Sequence, residues 1–266
     1  MVARGRLGWW GLGGAVALIY LFMLGPIAVV VIQSFSAGDT MQFPPRGWSL
    51  RWFVALASHA DFLASFKLSL LIAAIAAALA TVAGALAAYA LVRYRRPRQA
   101  GLETLLLAPL YVPRMLIGMA LLLVFAKLGL AGSMTGMILG HVLITLPFVV
   151  RAVTAGLHGV DPATEEAARC LGATWGQSIV LVTLPLVRSA LAAGAVFAFI
   201  VSFTDVYLAL FIAGPATNTL PLRIFTFMEW EQSPMVAAVS TAQVVLILAL
   251  MAIAEKTVSL STAGRI

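Results

Sequence analysis

Charged side chains are scarce in this chain, making up only 10% of its 266 residues against roughly a quarter in a typical soluble domain. A surface so poor in charge cannot be solvated by water over most of its area, which excludes an ordinary globular protein. Cysteine is rarer still: Cys170 stands alone, so no intrachain disulfide can form. Acidic residues are outnumbered, with 10 Asp and Glu against 17 Lys and Arg and a net charge of +7. That excess would suit nucleic acid only if the basic groups gathered on one exposed face. They stand at the ends of apolar runs instead, and nucleic acid is excluded as a partner. Two catalytic signatures are also missing. No G-x-x-x-x-G-K-[ST] loop occurs, so the chain carries no phosphate cradle of the Walker type. No G-x-S-x-G elbow accompanies Ser133, which leaves His141 without a nucleophile for an intramembrane protease. The chain is therefore not expected to be an enzyme, and no metal or other cofactor is expected on it.

What is present is apolar length. Hydrophobic residues make up 62% of the chain and the mean hydropathy is +1.03. They form runs near 10–32, 66–92, 102–128, 134–153, 186–212 and 236–254, each long enough to cross a hydrocarbon core, which takes about 20 residues of helix. The expected fold is an all-α integral membrane protein of about six transmembrane helices in a single domain, 1–266. Arg4 and Arg6 before the first run resemble a signal peptide, but the run is longer than a secretory core of about 7 to 15 residues. It reads as an uncleaved first span.

Basic residues near span ends stay in the cytoplasm, and they sort the connections into two sides. One side has Arg4, Arg6, Arg93, Arg95, Arg96, Arg98, Arg151, Arg169, Arg188, Lys256 and Arg265, the other only Arg46, Arg51, Lys67, Lys127 and Arg223. Both termini and the segment 156–185 are thus expected in the cytoplasm, with polar outer loops at 33–61 and 214–234. Trp48, Trp52, Glu229, Trp230 and Glu231 in those loops would either face a docking protein or anchor the chain at the membrane surface.

Close helix packing is written into two spans. Ala76, Ala80, Gly84 and Ala88 recur every four residues, as do Gly136 and Gly140, so backbones can approach where larger side chains would hold them apart. The alternative is a stripe of small residues facing lipid. Pro109, Pro113 and Pro147 each remove a backbone donor and are expected to kink the third and fourth spans.

The segment 156–185 reads as two short helices joined at an angle. Asp161 can cap a helix opening with Pro162, and Glu165 and Glu166 fall in its first turns, where the helix dipole favours negative charge. Gly172 can close it in a left-handed conformation, and Thr174 to Gln177 form a capping box that starts the next helix. Taken alone, Glu165, Glu166 and Arg169 could be ordinary exposed helix pairs, three and four residues apart.

Glu166, Ala167, Ala168, Gly172, Val182, Leu184 and Pro185 match the spacing of the EAA loop of binding-protein-dependent ABC importer permeases, with Val182 in place of isoleucine. The likeness extends over nearly the whole chain and is nearest to permeases of the spermidine/putrescine type. This resemblance implies the type I (MetI-like) importer permease fold in a bacterial inner membrane. It implies that Glu165, Glu166, Ala167, Ala168, Arg169, Gly172, Leu184 and Pro185 form an ATPase-coupling elbow, with Ala167 and Ala168 permitting close seating. It further implies two ATP-binding cassette subunits that hold the ATP and Mg, a second homologous permease subunit, a periplasmic or lipoprotein substrate-binding protein, and surrounding membrane lipid.

Ionisable residues inside spans are costly and mark pathways by default. Tyr111 and Arg114 in the third span, His141 in the fourth, and Asp205 with Tyr207 in the fifth form a candidate substrate path. Asp205 could attract a cationic solute or pair with Arg114, and His141 could serve as an interhelical hydrogen bonder. Ser202 to Val206 resembles the S-x-D-D-V pattern of polyamine permeases, continued by Gly214, Pro215, Leu220, Pro221 and Leu222, although Thr204 replaces the first aspartate. Polyamine transport is the first expectation. An aminophosphonate, ferric iron or another small solute is the alternative within the same architecture, and an ion-coupled secondary transporter is the alternative outside it.

Overall fold

A computed structural model of the chain describes residues 3–94 and 99–263, with side chains except at 3–11, 254 and 256–263. Of the basic residues that set the expected orientation, Arg95, Arg96, Arg98 and Arg265 lie outside the described residues, as do the side chains of Arg4, Arg6 and Lys256. Among the described residues the structure is helical, apart from an isolated antiparallel bridge between Ser36 and Trp48. Two compact units divide the chain, residues 1–63 with 224–246 and residues 64–223 with 247–266.

The first unit contains α1 (Ala3–Ser34), the short α2 (Arg51–Ser58) and the first turn of α3 (Ala60–Arg93). Within Leu12–Ser34 of α1 an 18-residue window reaches a mean hydropathy of 2.7 with none of it buried, as suits a helix whose solvent is lipid; Gln33 and Ser34 at the end of the helix are buried. Phe62 is buried and packs edge-on against His59 and Phe227, with centroids 5.0 and 5.3 Å away. The outer segment 33–61, expected to be a loop, contains α2. Eight residues are too few to show a clear helical period in sequence.

The second unit carries the remaining part of α3, then α4 (Gln99–Leu107), a 3-10 turn (Ala108–Leu110), α5 (Arg114–Leu128) and α6 (Met134–His158). Next come α7 (Pro162–Cys170), α8 (Trp175–Ser178), a π-helical turn (Ile179–Thr183), α9 (Leu184–Leu186), α10 (Arg188–Thr204) and α11 (Tyr207–Ile212). The chain closes with α12 (Leu220–Trp230) and α13 (Met235–Ala263), of which residues 224–246 belong to the first unit and the rest to the second. The segment 214–234, expected as a loop, thus holds α12.

The small-residue stripe of α3 packs inside the second unit and does not face lipid. Ala76, Ala80 and Ala88 have no exposed surface, and a Cβ on Gly84 would lie 2.8 Å from Cβ and Cγ1 of Val149 on α6. Gly140 does the same toward α11, where a Cβ would lie 2.7 Å from Ile212 Cδ1. Small side chains replace hydrophobic drive as the reason these helices associate.

Among the described residues four helices are long and apolar enough to cross a membrane, or up to six if each of two bent pairs counts as one span. The bends exceed what the sequence suggested. The third run, expected as one kinked helix over 102–128, is broken by 101° between Gln99–Leu110 and Arg114–Leu128. Pro109 and Pro113 flank this break, and Pro113 adopts an extended ψ of 130° just before α5; two lost donors four residues apart end a helix where one would bend it. The fifth run, expected over 186–212, is also interrupted. It is entered through a 75° bend from Trp175–Leu186, and Asp205, with ψ of 124°, separates α10 from α11.

Candidate coupling elbow and polar break

The elbow forms as its local signals require. Asp161 accepts a hydrogen bond from the Ala163 N–H at 2.9 Å, and Pro162 opens α7. Gly172 takes φ of +95° just beyond the end of α7, a conformation that costs glycine nothing because it has no Cβ. Thr174 and Gln177 complete the capping box, with Thr174 N–H donating to Gln177 Oε1 at 2.8 Å and Gln177 N–H to Thr174 Oγ1 at 3.3 Å.

The two neighbouring glutamates take opposite roles. Glu166, Ala167 and Arg169 are exposed, with Leu171 beside them 90% exposed. Glu165 turns inward. Its Oε1 accepts from Arg93 Nε at 2.9 Å, its Oε2 accepts from the Tyr89 hydroxyl at 2.8 Å, and both charged side chains are only 11% exposed. Arg93 also donates to the Val160 carbonyl at 3.2 Å, and Ser178 Oγ donates to the Glu165 carbonyl at 3.3 Å. Trp175 meets the Tyr89 ring edge-on at 6.0 Å. Both limbs of the elbow are thereby fastened to the last turns of α3. The short-range Glu165 to Arg169 pair suggested by spacing gives way to this contact, because Arg93 offers a forked donor in a buried place.

Ala168 is half-buried, while Gly172, Leu184 and Pro185 are exposed, so these residues of the motif remain on the surface of the elbow. The sequence alone points to no role for Tyr89 or Ser178, and to Arg93 only as an orientation marker. The one available signal was the four-residue spacing of Tyr89 and Arg93, which puts two polar groups on one face at the end of an apolar helix.

A second polar cluster sits at the break between α10 and α11. Arg114 Nη1 donates to Asp205 Oδ1 at 3.0 Å, joining the start of α5 to the break. Asp205 Oδ2 accepts from the Leu208 N–H at 2.8 Å, which satisfies a free donor in the first turn of α11. The Asp205 side chain has no exposed surface, whereas Arg114 is 36% exposed. His141 Nδ1 lies 2.8 Å from Ser202 Oγ in a buried site, leaving Nε2 without a hydrogen-bond partner. Tyr111 and Tyr207 are exposed, at 74% and 51%, and neither belongs to this buried cluster. Of the five pathway candidates, the structure joins Arg114 with Asp205. Among the described residues no group of three His, Cys, Asp or Glu could hold a metal ion.

The helical spans and bent pairs define an all-α membrane protein, and comparison with known proteins places it more closely. Residues 80–257 match the family described as binding-protein-dependent transport system inner membrane component. The spermidine/putrescine transport system permease protein PotC of Escherichia coli (strain K12) is 32% identical over 239 residues, covering 90% of each chain. The putrescine transport system permease protein PotI of the same strain is 34% identical over 229 residues, covering 84% of this chain and 81% of its own. Among solved structures, a bacterial ABC transporter that imports the acidic polysaccharide alginate superposes with a TM-score of 0.74 at 16% identity, covering 96% of this chain and 98% of its own; that likeness speaks for the fold. The chain belongs to the binding-protein-dependent transport family and is a permease subunit of an ABC importer.

Proposed function

We propose that this chain forms half of a translocation pathway for a small solute, polyamine-like in class, delivered by a substrate-binding protein. Force arrives through the elbow 156–185 from two separate ATP-binding cassette subunits, which hold the ATP and Mg. A second homologous permease supplies the other half and the other elbow, because one chain offers one docking element and two ATPase subunits need two. The observation that carries this reading is the elbow itself: a capped helix pair presenting Glu166, Ala167 and Arg169 outward while Glu165 is held from within. The polyamine class is supported by the identity with the two polyamine permeases and by Asp205 within Ser202 to Val206. Thr204 makes the site one negative charge poorer than the polyamine pattern, so a small solute of lower charge fits the same architecture.

Glu166→Arg tests the coupling role. Reversing an exposed charge leaves the fold intact, since surface changes stay within about 0.5 kcal/mol. In vesicles containing the whole importer, uptake per ATP hydrolysed is expected to fall by about tenfold; an unchanged ratio rejects docking through Glu166. The ligand retained by the binding protein of the same transport system decides the solute.

A further inference from the structure

The buried contact between the elbow and α3 lies apart from the surface proposed to dock, for Glu165 is buried while Glu166 and Arg169 are exposed. Its composition is unusual for a helix-to-helix contact. One carboxylate receives a guanidinium and a phenol from residues 72 and 76 positions earlier in the chain. The guanidinium also holds the carbonyl of Val160, immediately before the cap of α7. A hydroxyl from the second limb, Ser178, reaches the backbone of Glu165 itself. The cap, both limbs and the end of α3 therefore meet at one residue.

Such a joint is stiff for electrostatic reasons. A buried charge pair is poor at adding stability, because desolvation offsets attraction, but separating its members is strongly unfavourable because it leaves an uncompensated buried charge. Directional hydrogen bonds to both carboxylate oxygens fix the angle as well as the distance. An apolar contact in the same place would let the elbow slide or rotate at little cost. The segment just beyond the joint has the opposite character: Ile179–Thr183 is π-helical, and the buried Thr183 Oγ1 has no hydrogen-bond partner. Single π turns are less regular than α-helix and often occur at functional sites.

We propose that Glu165, Arg93 and Tyr89 are positioning residues that lock the elbow to α3 throughout the transport cycle, so that a push on α7 moves α3 as one body while the chain flexes beyond it. This rests on the reading of 156–185 as the ATPase-coupling element, and it assigns the step after docking: transfer of displacement into a membrane helix.

The test uses the complete importer with its ATPase subunits. Spin labels at Thr164→Cys and Ala90→Cys, both on exposed positions, are introduced after Cys170→Ser, and their separation is measured without nucleotide and after vanadate trapping. A locked joint keeps the separation constant to within about 2 Å; a larger change, comparable to the helix shifts of switching proteins, overturns the proposal. Glu165→Gln keeps the shape of the side chain but removes its charge, and Tyr89→Phe removes one hydrogen bond. With putrescine as the probe, Glu165→Gln is expected to lower uptake per ATP by about tenfold while ATP hydrolysis and subunit assembly persist. Arg93→Lys, which keeps the charge, should retain more of the ratio than Arg93→Met. If Glu165→Gln and Tyr89→Phe both match wild type in uptake per ATP, or if Lys does no better than Met, the joint has no such role. Failure of the underlying reading shows separately, in the unmutated complex: putrescine uptake would then be the same with and without ATP hydrolysis by the ATPase subunits.

Discussion

At the scale of single residues, position relative to the bilayer decides what a charge can do. Asp205 was legible in sequence as a pathway candidate because a carboxylate inside an apolar run is costly. Pairing with Arg114 is one of the two outcomes its sequence context allows, and the structure forms it. What sequence could not convey is that the second oxygen is also occupied, by the Leu208 N–H at the break in the helix. Asp205→Asn retains that backbone hydrogen bond but leaves Arg114 facing a neutral group. Because Arg114 is 36% exposed, the loss of stability is expected near 2 kcal/mol, below the range for fully buried pairs. Uptake per assembled complex should fall by more than the yield of assembled complex. Equal uptake by wild type and variant removes Asp205 from the pathway. Arg93 shows the reverse case: in sequence it reads only as a topological marker, since its partner Glu165 is 72 residues away and no local pattern links them.

At the scale of elements, the sequence was most informative where the cause is local. The Asp161 cap, the Thr174 capping box and the left-handed Gly172 all depend on residues within one turn of each other, and all three appear as expected. Span interiors were equally legible, because hydropathy over about twenty residues is a sum that single residues hardly disturb. That same averaging hides the breaks at Tyr111 to Pro113 and at Asp205, where one or two backbone angles redirect a helix. The small-residue stripe of α3 sits between these cases, with its periodicity visible but its partner helix not. The partner is α6, and Gly84 marks the closest approach. Gly84→Leu is expected to destabilise the detergent-solubilised protein by about 1–3 kcal/mol through overpacking, read as a lowered Tm. Val82→Leu, on an exposed position two residues away, should leave Tm unchanged. Equal Tm for both variants and wild type would mean that the close α3 to α6 packing contributes nothing to stability.

At the scale of the whole molecule, one requirement connects residue chemistry to transport: the elbow must face the compartment that holds ATP. The distribution of Lys and Arg along the sequence is expected to place it there, an expectation open to direct measurement. The chain supplies its own reporter, for Cys170 is its one cysteine and is exposed at the end of α7. A membrane-impermeant maleimide is expected to label Cys170 in inverted vesicles and to leave it unlabelled in intact spheroplasts. A second cysteine placed at Asp39, whose side chain is 87% exposed, should show the opposite pattern in a Cys170→Ser background. Labelling of Cys170 from the outer face would put Glu166 and the joint at Glu165 on the side without ATP. No arrangement of ATPase subunits could then reach them, and the proposed route of force from nucleotide to α3 would fail at its first step.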